Sequence, residues 1–351
     1  MIYKFLITVP TLNPGGMERA AANCALALHK LGHGVKIFTV SNNFIYFDLP
    51  EEIEVISGKN KSENLWLIPL SLYKLRKLSQ NFRPNFVLSF SGRMSSYIII
   101  TLMGLNIPVI PFHRGNPNII YGRLNNVLNM ILYPKCKALV VQTKKAKEIF
   151  EKKYKNKNVI VMPNPIRELK IDETIEKEKI LINISRLVKG KGLDNLIRIF
   201  SNINSDEWSL HILGDGPLRN SLEDLAEELK INHKVKFMGF QKNVDVYLSK
   251  ASVFAFTSES EGFPNALLEA MCSGLACISF DCPTGPSEMI IDGENGFLID
   301  LFNHQEYSDK LEYLLNHNSL RTKFSNEAKK LNEKHNPDKI LNEFITRIEK
   351  I

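Results

Sequence analysis

Ile180-Leu181-Ile182-Asn183-Ile184-Ser185-Arg186-Leu187-Val188-Lys189-Gly190-Lys191-Gly192 is an apolar run that breaks at a basic, glycine-bearing turn, and residues 193–203 after it have helical apolar spacing. A short, uncharged, branched run of this kind reads as a strand covered on both faces. The stretch restarts a pattern that the N-terminal half has already played once. There, apolar runs at 2–9, 35–40, 86–90, 109–112 and 138–141 alternate with helical spacing at 17–31, 93–103 and 144–154. After the restart, runs at 209–213, 235–238, 253–257 and 276–280 alternate with helical spacing at 218–229, 266–271 and 307–315. Strand and helix in alternation predict α/β architecture, a parallel sheet with helices on both faces. Two series predict two doubly wound domains.

The boundary lies at Pro163-Asn164-Pro165, a rigid extended connector followed by a charged stretch at 167–179. Domains of 1–165 and 166–335 follow. Ligands of such sheets sit at the carboxyl ends of the strands, which can face a central cleft.

Composition narrows the class. Among 351 residues, 44% are hydrophobic and 24% charged, which is ordinary for a globular protein and excludes disordered, collagen-like and coiled-coil chains. The five cysteines (Cys24, Cys136, Cys272, Cys277, Cys282) are scattered and odd in number, which argues against a disulfide framework or a structural zinc site. No run reads as a membrane span and the N-terminal apolar stretch is too short for a signal peptide, so a cytosolic chain is expected. The net charge of +7 divides unevenly. Residues 1–165 hold 22 Lys+Arg and 8 Asp+Glu, a net of +14, which leaves −7 for the remainder. A basic half points to an anionic partner: nucleic acid, a lipid surface or a phosphorylated substrate.

Five turns carry candidate chemistry. Gly15-Gly16 follows the first strand and opens a helix, where free N–H groups and the helix dipole can hold phosphate; the same residues equally make a plain tight turn. The chain has neither GxGxxG nor GxxxxGK[ST], which disfavours dinucleotide oxidoreductases and P-loop hydrolases. Arg186 and Lys191 stand at a strand's carboxyl end as a fork and a point charge, suited to a leaving diphosphate or simply to a solvated turn. Leu213-Gly214-Asp215-Gly216-Pro217 is a second glycine turn. Glu259-Ser260-Glu261-Gly262-Phe263-Pro264-Asn265-Ala266-Leu267-Leu268-Glu269 breaks at Gly262 and Pro264 and starts a helix near Asn265. The amides of Asn265, Ala266 and Leu267 are expected to point at an anion, with Glu261 near the reacting group and Glu269 accepting from ribose hydroxyls. His113, in Phe112-His113-Arg114-Gly115-Asn116-Pro117, is either a substrate contact or a satisfied structural histidine.

Together these residues resemble the retaining family 4 glycosyltransferases of GT-B fold. The matching pieces are Gly15-Gly16-Met17-Glu18-Arg19, Ser185-Arg186 with Lys191-Gly192, Gly214-Asp215-Gly216-Pro217, and Glu261 with Glu269 in the E-x7-E pattern. The resemblance implies two Rossmann-like domains facing a cleft, with a nucleotide-diphosphate sugar on the second and the acceptor on the first. It implies that Gly16, Arg186 and Lys191 hold the diphosphate, that Glu269 binds ribose and that Glu261 contacts the sugar. Gly262, Phe263, Pro264 and the helix start complete the donor loop, and Phe240 and Gln241 match the base-contacting stretch. The last helix, at 336–351, is expected to cross back onto the first domain. Within the family the chain looks like bacterial surface-polysaccharide and lipid-linked-oligosaccharide enzymes, many of which use UDP-sugars. Gly115-Asn116 replaces the Asn-Asp frequent in that group at this segment.

The implied reaction leaves negative charge on a diphosphate that Arg186, Lys191 and the helix start can stabilise. No second carboxylate stands in the pattern of a double-displacement pair, so a front-face reaction is expected, catalysed by Glu261, Arg186, Lys191 and His113. No cofactor, metal or nucleic-acid partner is expected. The competing readings are a non-catalytic nucleotide-sugar sensor and a nucleic-acid binder acting through the basic half. Peripheral binding to the inner face of the membrane is expected through residues 65–83. There Leu72, Leu75, Leu78 and Phe82 form one apolar helical face beside Lys74, Arg76 and Lys77, with Trp66 and Tyr73 as interface residues.

Overall fold

The structure, a computed structural model, describes residues 1–41, 44–58, 68–119, 121–204 and 206–350. The chain divides into two compact units, Met1–Pro165 with Pro337–Ile351, and Ile166–Asn336.

In the first unit, β1 (Lys4–Val9), β2 (Gly34–Thr39), β3 (Glu54–Ser57), β4 (Phe86–Ser89) and β5 (Val109–Pro111) form a parallel sheet in the order β3-β2-β1-β4-β5. A parallel pair, β6 (Leu139–Val141) and β7 (Val159–Val161), extends it through the Phe112–Val140 bridge. The described helices are α1 (Gly16–Lys30), α2 (Ile68–Phe82), α3 (Ser95–Leu102), α4 (Arg123–Leu132) and α5 (Lys144–Tyr154). Side chains of β1 alternate between faces as a strand requires. Phe5, Ile7 and Val9 pack with Ala21, Ala25 and Leu28 of α1, while Leu6 packs with Leu75 of α2 and Ile98 of α3. The helix Pro337–Glu349 lays Leu341, Phe344 and Ile348 into the α1 side of this core.

Two helices of the first unit depart from the sequence reading. The apolar face of α2 is core: Leu75 is fully buried, and Leu72, Leu78 and Phe82 pack against Phe38 and Val87. Arg76 donates to the carbonyls of Thr101 at 2.5 Å and Met103 at 3.0 Å, capping the end of α3. The expectation that this face meets lipid is therefore corrected, because it is turned onto the sheet, with Leu75 fully buried and Leu72, Leu78 and Phe82 half-buried; Trp66 lies outside the described residues. Helix α4, which the sequence reading did not contain, is inverted. Asn125 and Asn129 are buried, donating to the Arg93 carbonyl at 2.6 Å and accepting from Ser96, while Leu124, Val127, Met130 and Ile131 are exposed.

In the second unit, β8 (Ile180–Ile184), β9 (Ser209–Leu213), β10 (Val235–Gly239), β11 (Val253–Phe256), β12 (Ala276–Asp281) and β13 (Phe297–Asp300) form a parallel sheet in the order β10-β9-β8-β11-β12-β13. Helices α6 (Leu193–Asn202), α7 (Arg219–Glu228), α10 (His304–Asn316) and α11 (Asn318–Lys329) cover one face. Helices α8 (Asp245–Lys250), α9 (Asn265–Cys272) and α12 (Leu331–Lys334) cover the other. Leu181 faces the first group, and Ile180 and Ile182 face the second. Counted from β8, the order is 3-2-1-4-5-6, the Rossmann arrangement. The strand order reverses between β8 and β11, so the loops after these two strands flank the place where such sheets bind ligands. No described helix is long and apolar enough to cross a membrane.

Candidate active site

The loop after β8 carries Arg186 and Lys191; the loop after β11 carries Glu261 and runs into α9. They are stapled together by backbone. Glu259 N–H donates to the Gly190 carbonyl at 2.9 Å, and the Thr257 hydroxyl donates to the Lys191 carbonyl at 3.1 Å. Gly192 has φ +61°, and a Cβ there would stand 2.2 Å from the Thr257 carbonyl oxygen, so only glycine permits this approach. The turn after β9 closes from the other side: Leu187 N–H donates to Asp215 O at 3.0 Å.

The cations and carboxylates sit as follows. Arg186 is exposed and makes no ion pair among the described residues. Lys191 donates to Glu261 Oε1 at 2.5 Å, and both side chains are largely buried. Glu269 accepts from Arg167 Nε at 2.9 Å. The fork of that arginine is seated on Asp245, with Nη1 3.0 Å from Oδ2. Burial raises the Asp245 carboxyl, but the hydrogen bonds from Arg167 and from Lys170 N–H outweigh it, and its pKa falls below the ordinary value. Arg167 was not among the sequence candidates. No motif marks it; its only sequence signal is its place two residues after Pro165.

At the start of α9 the structure corrects one detail. Asn265 N–H does not point outward but donates to the Phe263 carbonyl at 3.0 Å. Pro264, with φ −81° and ψ 83°, is the centre of an inverse γ-turn, which consumes that amide. No side chain caps this helix, and the Ala266 and Leu267 amides lie in its first turn, where no intrahelical acceptor exists. Leu267 and Phe263 themselves are buried, so their side chains serve the core. Phe240 is 71% exposed beside Gln241, whose amide donates to the Met238 carbonyl at 2.6 Å. Gly214 N–H donates to Gly239 O at 2.9 Å, which sets that edge of the site.

In the first unit, Gly15 is the residue before α1 and Gly16 its first residue. The Glu18 carboxylate folds back over this turn, where Thr11 Oγ1 donates to Oε1 at 3.4 Å. An acid in the first helical turn already complements the dipole there. His113 is buried against Phe150, with its Nε2 3.2 Å from the Tyr121 hydroxyl. Burial, aided by nearby Lys153, lowers its pKa to about 4, so the imidazole is neutral at physiological pH. Burial likewise pushes the thiols of Cys24, Cys136, Cys272 and Cys282 up to about 12, which leaves none of them a ready nucleophile. No group of three or more His, Cys, Asp or Glu among the described residues is placed to hold a metal ion.

Residues 14–168 match the family described as Glycosyltransferase Family 4, and residues 165–331 match the one described as Glycosyl transferases group 1. An uncharacterized glycosyltransferase of Methanocaldococcus jannaschii is 31% identical over 294 residues, 75% of this chain and 70% of that protein. The chain belongs to the family 4 glycosyltransferases. Its sheet orders and loop positions are those of the GT-B fold: a crystal structure of a TarM mutant of S. aureus in complex with Fondaparinux, alpha-GlcNAc-glycerol and UDP superposes with a TM-score of 0.84 at 15% identity, covering 99% of this chain and 100% of that one. This glycosyltransferase is also 28% identical over 349 residues to a Campylobacter jejuni enzyme, N-acetylgalactosamine-N,N'-diacetylbacillosaminyl-diphospho-undecaprenol 4-alpha-N-acetylgalactosaminyltransferase, covering 93% of this chain and 94% of that one.

Proposed function

We propose that this glycosyltransferase moves a hexose or N-acetylhexosamine, with retention, from a UDP-sugar to a glycan or polyprenyl-diphosphate-linked acceptor in bacterial surface-polysaccharide or lipid-linked-oligosaccharide synthesis. The observation that carries the reading is the pair of cations at the second sheet's switch point, Arg186 exposed and Lys191 held by Glu261. The second unit takes the donor: Arg186, Lys191 and the first-turn amides of Ala266 and Leu267 hold the diphosphate, Glu269 the ribose, Phe240 and Gln241 the base. The first unit takes the acceptor.

As the bond from the anomeric carbon to the phosphate oxygen breaks, its electron pair goes to the phosphate. Two cations at the switch point lower the cost of that charge. The acceptor hydroxyl attacks from the same face, and its proton passes to the departing phosphate oxygen. Lys191 meets the diphosphate only by loosening from Glu261, which frees that carboxylate to meet the donor sugar. The test is a panel of UDP-, GDP- and ADP-sugars with lipid-diphosphate acceptors. Acceptor-dependent release of UDP is expected. Nucleotide binding without turnover would indicate a sensor instead.

The enzyme works at the membrane face through α4. Its four exposed apolar residues lie on one stripe, and residues 121–160 hold 10 Lys+Arg against 2 Asp+Glu. At the end of α4 a pocket of about 420 Å³ is lined by Ile99, Leu102 and Leu132, with Lys135 and Lys137 beside them. Apolar surface framed by lysines complements an anionic bilayer, to which each basic residue contributes ~1 kcal/mol. Wild type should sediment with phosphatidylglycerol vesicles at low salt, Leu124→Glu/Ile131→Glu should not, and Lys135→Glu/Lys137→Glu should bind at least ~10-fold more weakly. Equal sedimentation of wild type and the Leu124→Glu/Ile131→Glu variant would remove α4 from this role.

A further inference from the structure

We propose that Arg167 and Asp245 are positioning residues for ribose recognition: they hold the Glu269 carboxylate in the orientation that accepts the donor's hydroxyls. The inference rests on the reading of Glu269 as the ribose acceptor.

The geometry is a relay of two carboxylates about one guanidinium. Asp245 is at the first turn of α8, nearly buried, and it takes the planar fork of Arg167 in a two-point contact. A two-point contact fixes the guanidinium plane as well as its position. With the plane fixed, Nε can aim in one direction only, and it meets Glu269 Oε2 at 2.9 Å. A carboxylate has about four lone-pair positions, so the bond from Nε can orient the group without using up its capacity as an acceptor.

The segment that bears Arg167 is itself clamped. Ile166 is buried, and its N–H donates to the His335 carbonyl at 2.8 Å. Lys170 N–H donates to Asp245 Oδ2 at 2.8 Å, and Asp172 N–H to Ser249 Oγ at 3.0 Å. Residues 166–172 are thereby laced along α8, and the arginine has a rigid base. Chemistry supplies a reason for such a device. A glutamate side chain has three rotatable bonds, and a hydroxyl pair is recognised only if the carboxylate faces it. An acid on a helix surface that swings freely would lose rotamer entropy on each binding event, whereas one held beforehand has already lost it. Charge also matters: two carboxylates beside one another repel, and the single guanidinium bonded to both offsets that repulsion.

The role predicts an effect confined to the sugar of the nucleotide. The probes are UDP and its 2′,3′-dideoxy analogue, with affinities measured by calorimetry on the full chain. Wild type should prefer UDP by at least ~10-fold, the scale of a hydrogen bond to a charged group. Arg167→Lys keeps the charge but not the fork, and it should weaken UDP by about 10-fold while leaving the dideoxy analogue within about twofold. Asp245→Asn, which keeps the shape of the partner, should do the same to a smaller degree. A wild type that prefers UDP, with variants that keep that preference in full, would overturn the inference and spare the ribose reading. Equal weakening of both nucleotides would reduce the triad to a structural one and overturn it as well. A wild type blind to the missing hydroxyls would overturn the ribose reading itself, and the inference with it.

Discussion

Lys191→Ala is expected to lower sugar transfer by at least ~100-fold, the scale of removing one preorganised group that stabilises developing charge. In the proposed reading the lysine sits where the charge forms, on a backbone that is held in place. Gly190 and Gly192 on either side of it are fixed to Glu259 and Thr257, and Lys191 itself accepts the Thr257 hydroxyl at 3.1 Å. Its ammonium therefore needs little reorganisation to leave Glu261 and meet phosphate. Arg186→Ala should have an effect of the same order. That side chain is exposed, so the loss is expected to be catalytic and not structural. Circular dichroism should be unchanged in both variants. Wild-type turnover in both would take the cations out of the donor site.

Gly214→Ala should cost the second unit more than about 3 kcal/mol, a loss in the range reserved for strain and steric overlap in a core. The residue has φ +135°, a conformation that side chains avoid, and an added Cβ would lie 1.8 Å from the Ser185 carbonyl oxygen. That oxygen belongs to backbone at the end of β8, which cannot yield without pulling the loop that bears Arg186. Gly293→Ala is the matched control. It also has positive φ, +72°, but nothing lies within 4 Å of its added Cβ, so only the ~1 kcal/mol backbone penalty should be seen. Urea unfolding of the two variants separates steric overlap from left-handed backbone. Equal losses would mean that the close approach at Gly214 relaxes at little cost.

Much of this architecture could be read from one chain because parallel sheets advertise themselves. β8, β9, β11 and β12 are buried on both faces and are therefore continuous apolar runs bounded by turns. The strands that escaped were β3, β7 and β13, each the last strand at the edge of its sheet and so without the cover on both faces that makes a continuous apolar run. The site loops were visible because glycine and proline are forced wherever backbone meets backbone, as at Gly192 and Gly214. What periodicity could not give was the direction of a face. The stripe on α2 has correct helical spacing and points into the sheet. Helix α4 was missed because its buried side carries Asn125 and Asn129, paired to the Arg93 carbonyl and to Ser96, beside Leu132, so the inward-apolar rule finds too little there. Arg167 was illegible for a different reason. It is one charge in a stretch of many, and its partners Asp245 and Glu269 lie 78 and 102 residues away.

In the proposed reading Lys191 stabilises the leaving group and Glu261 meets the sugar, by a reaction that retains the donor's anomeric configuration. The anomeric configuration of the product tests the retention on which that reading depends. The measurement is proton NMR of the glycan formed by purified protein from an α-linked UDP-sugar and a polyprenyl-diphosphate-linked acceptor, read at the new anomeric proton as UDP is released. An α-linked product, formed in step with UDP, is predicted. A β-linked product would contradict it, as would an absence of transfer from every nucleotide sugar that binds.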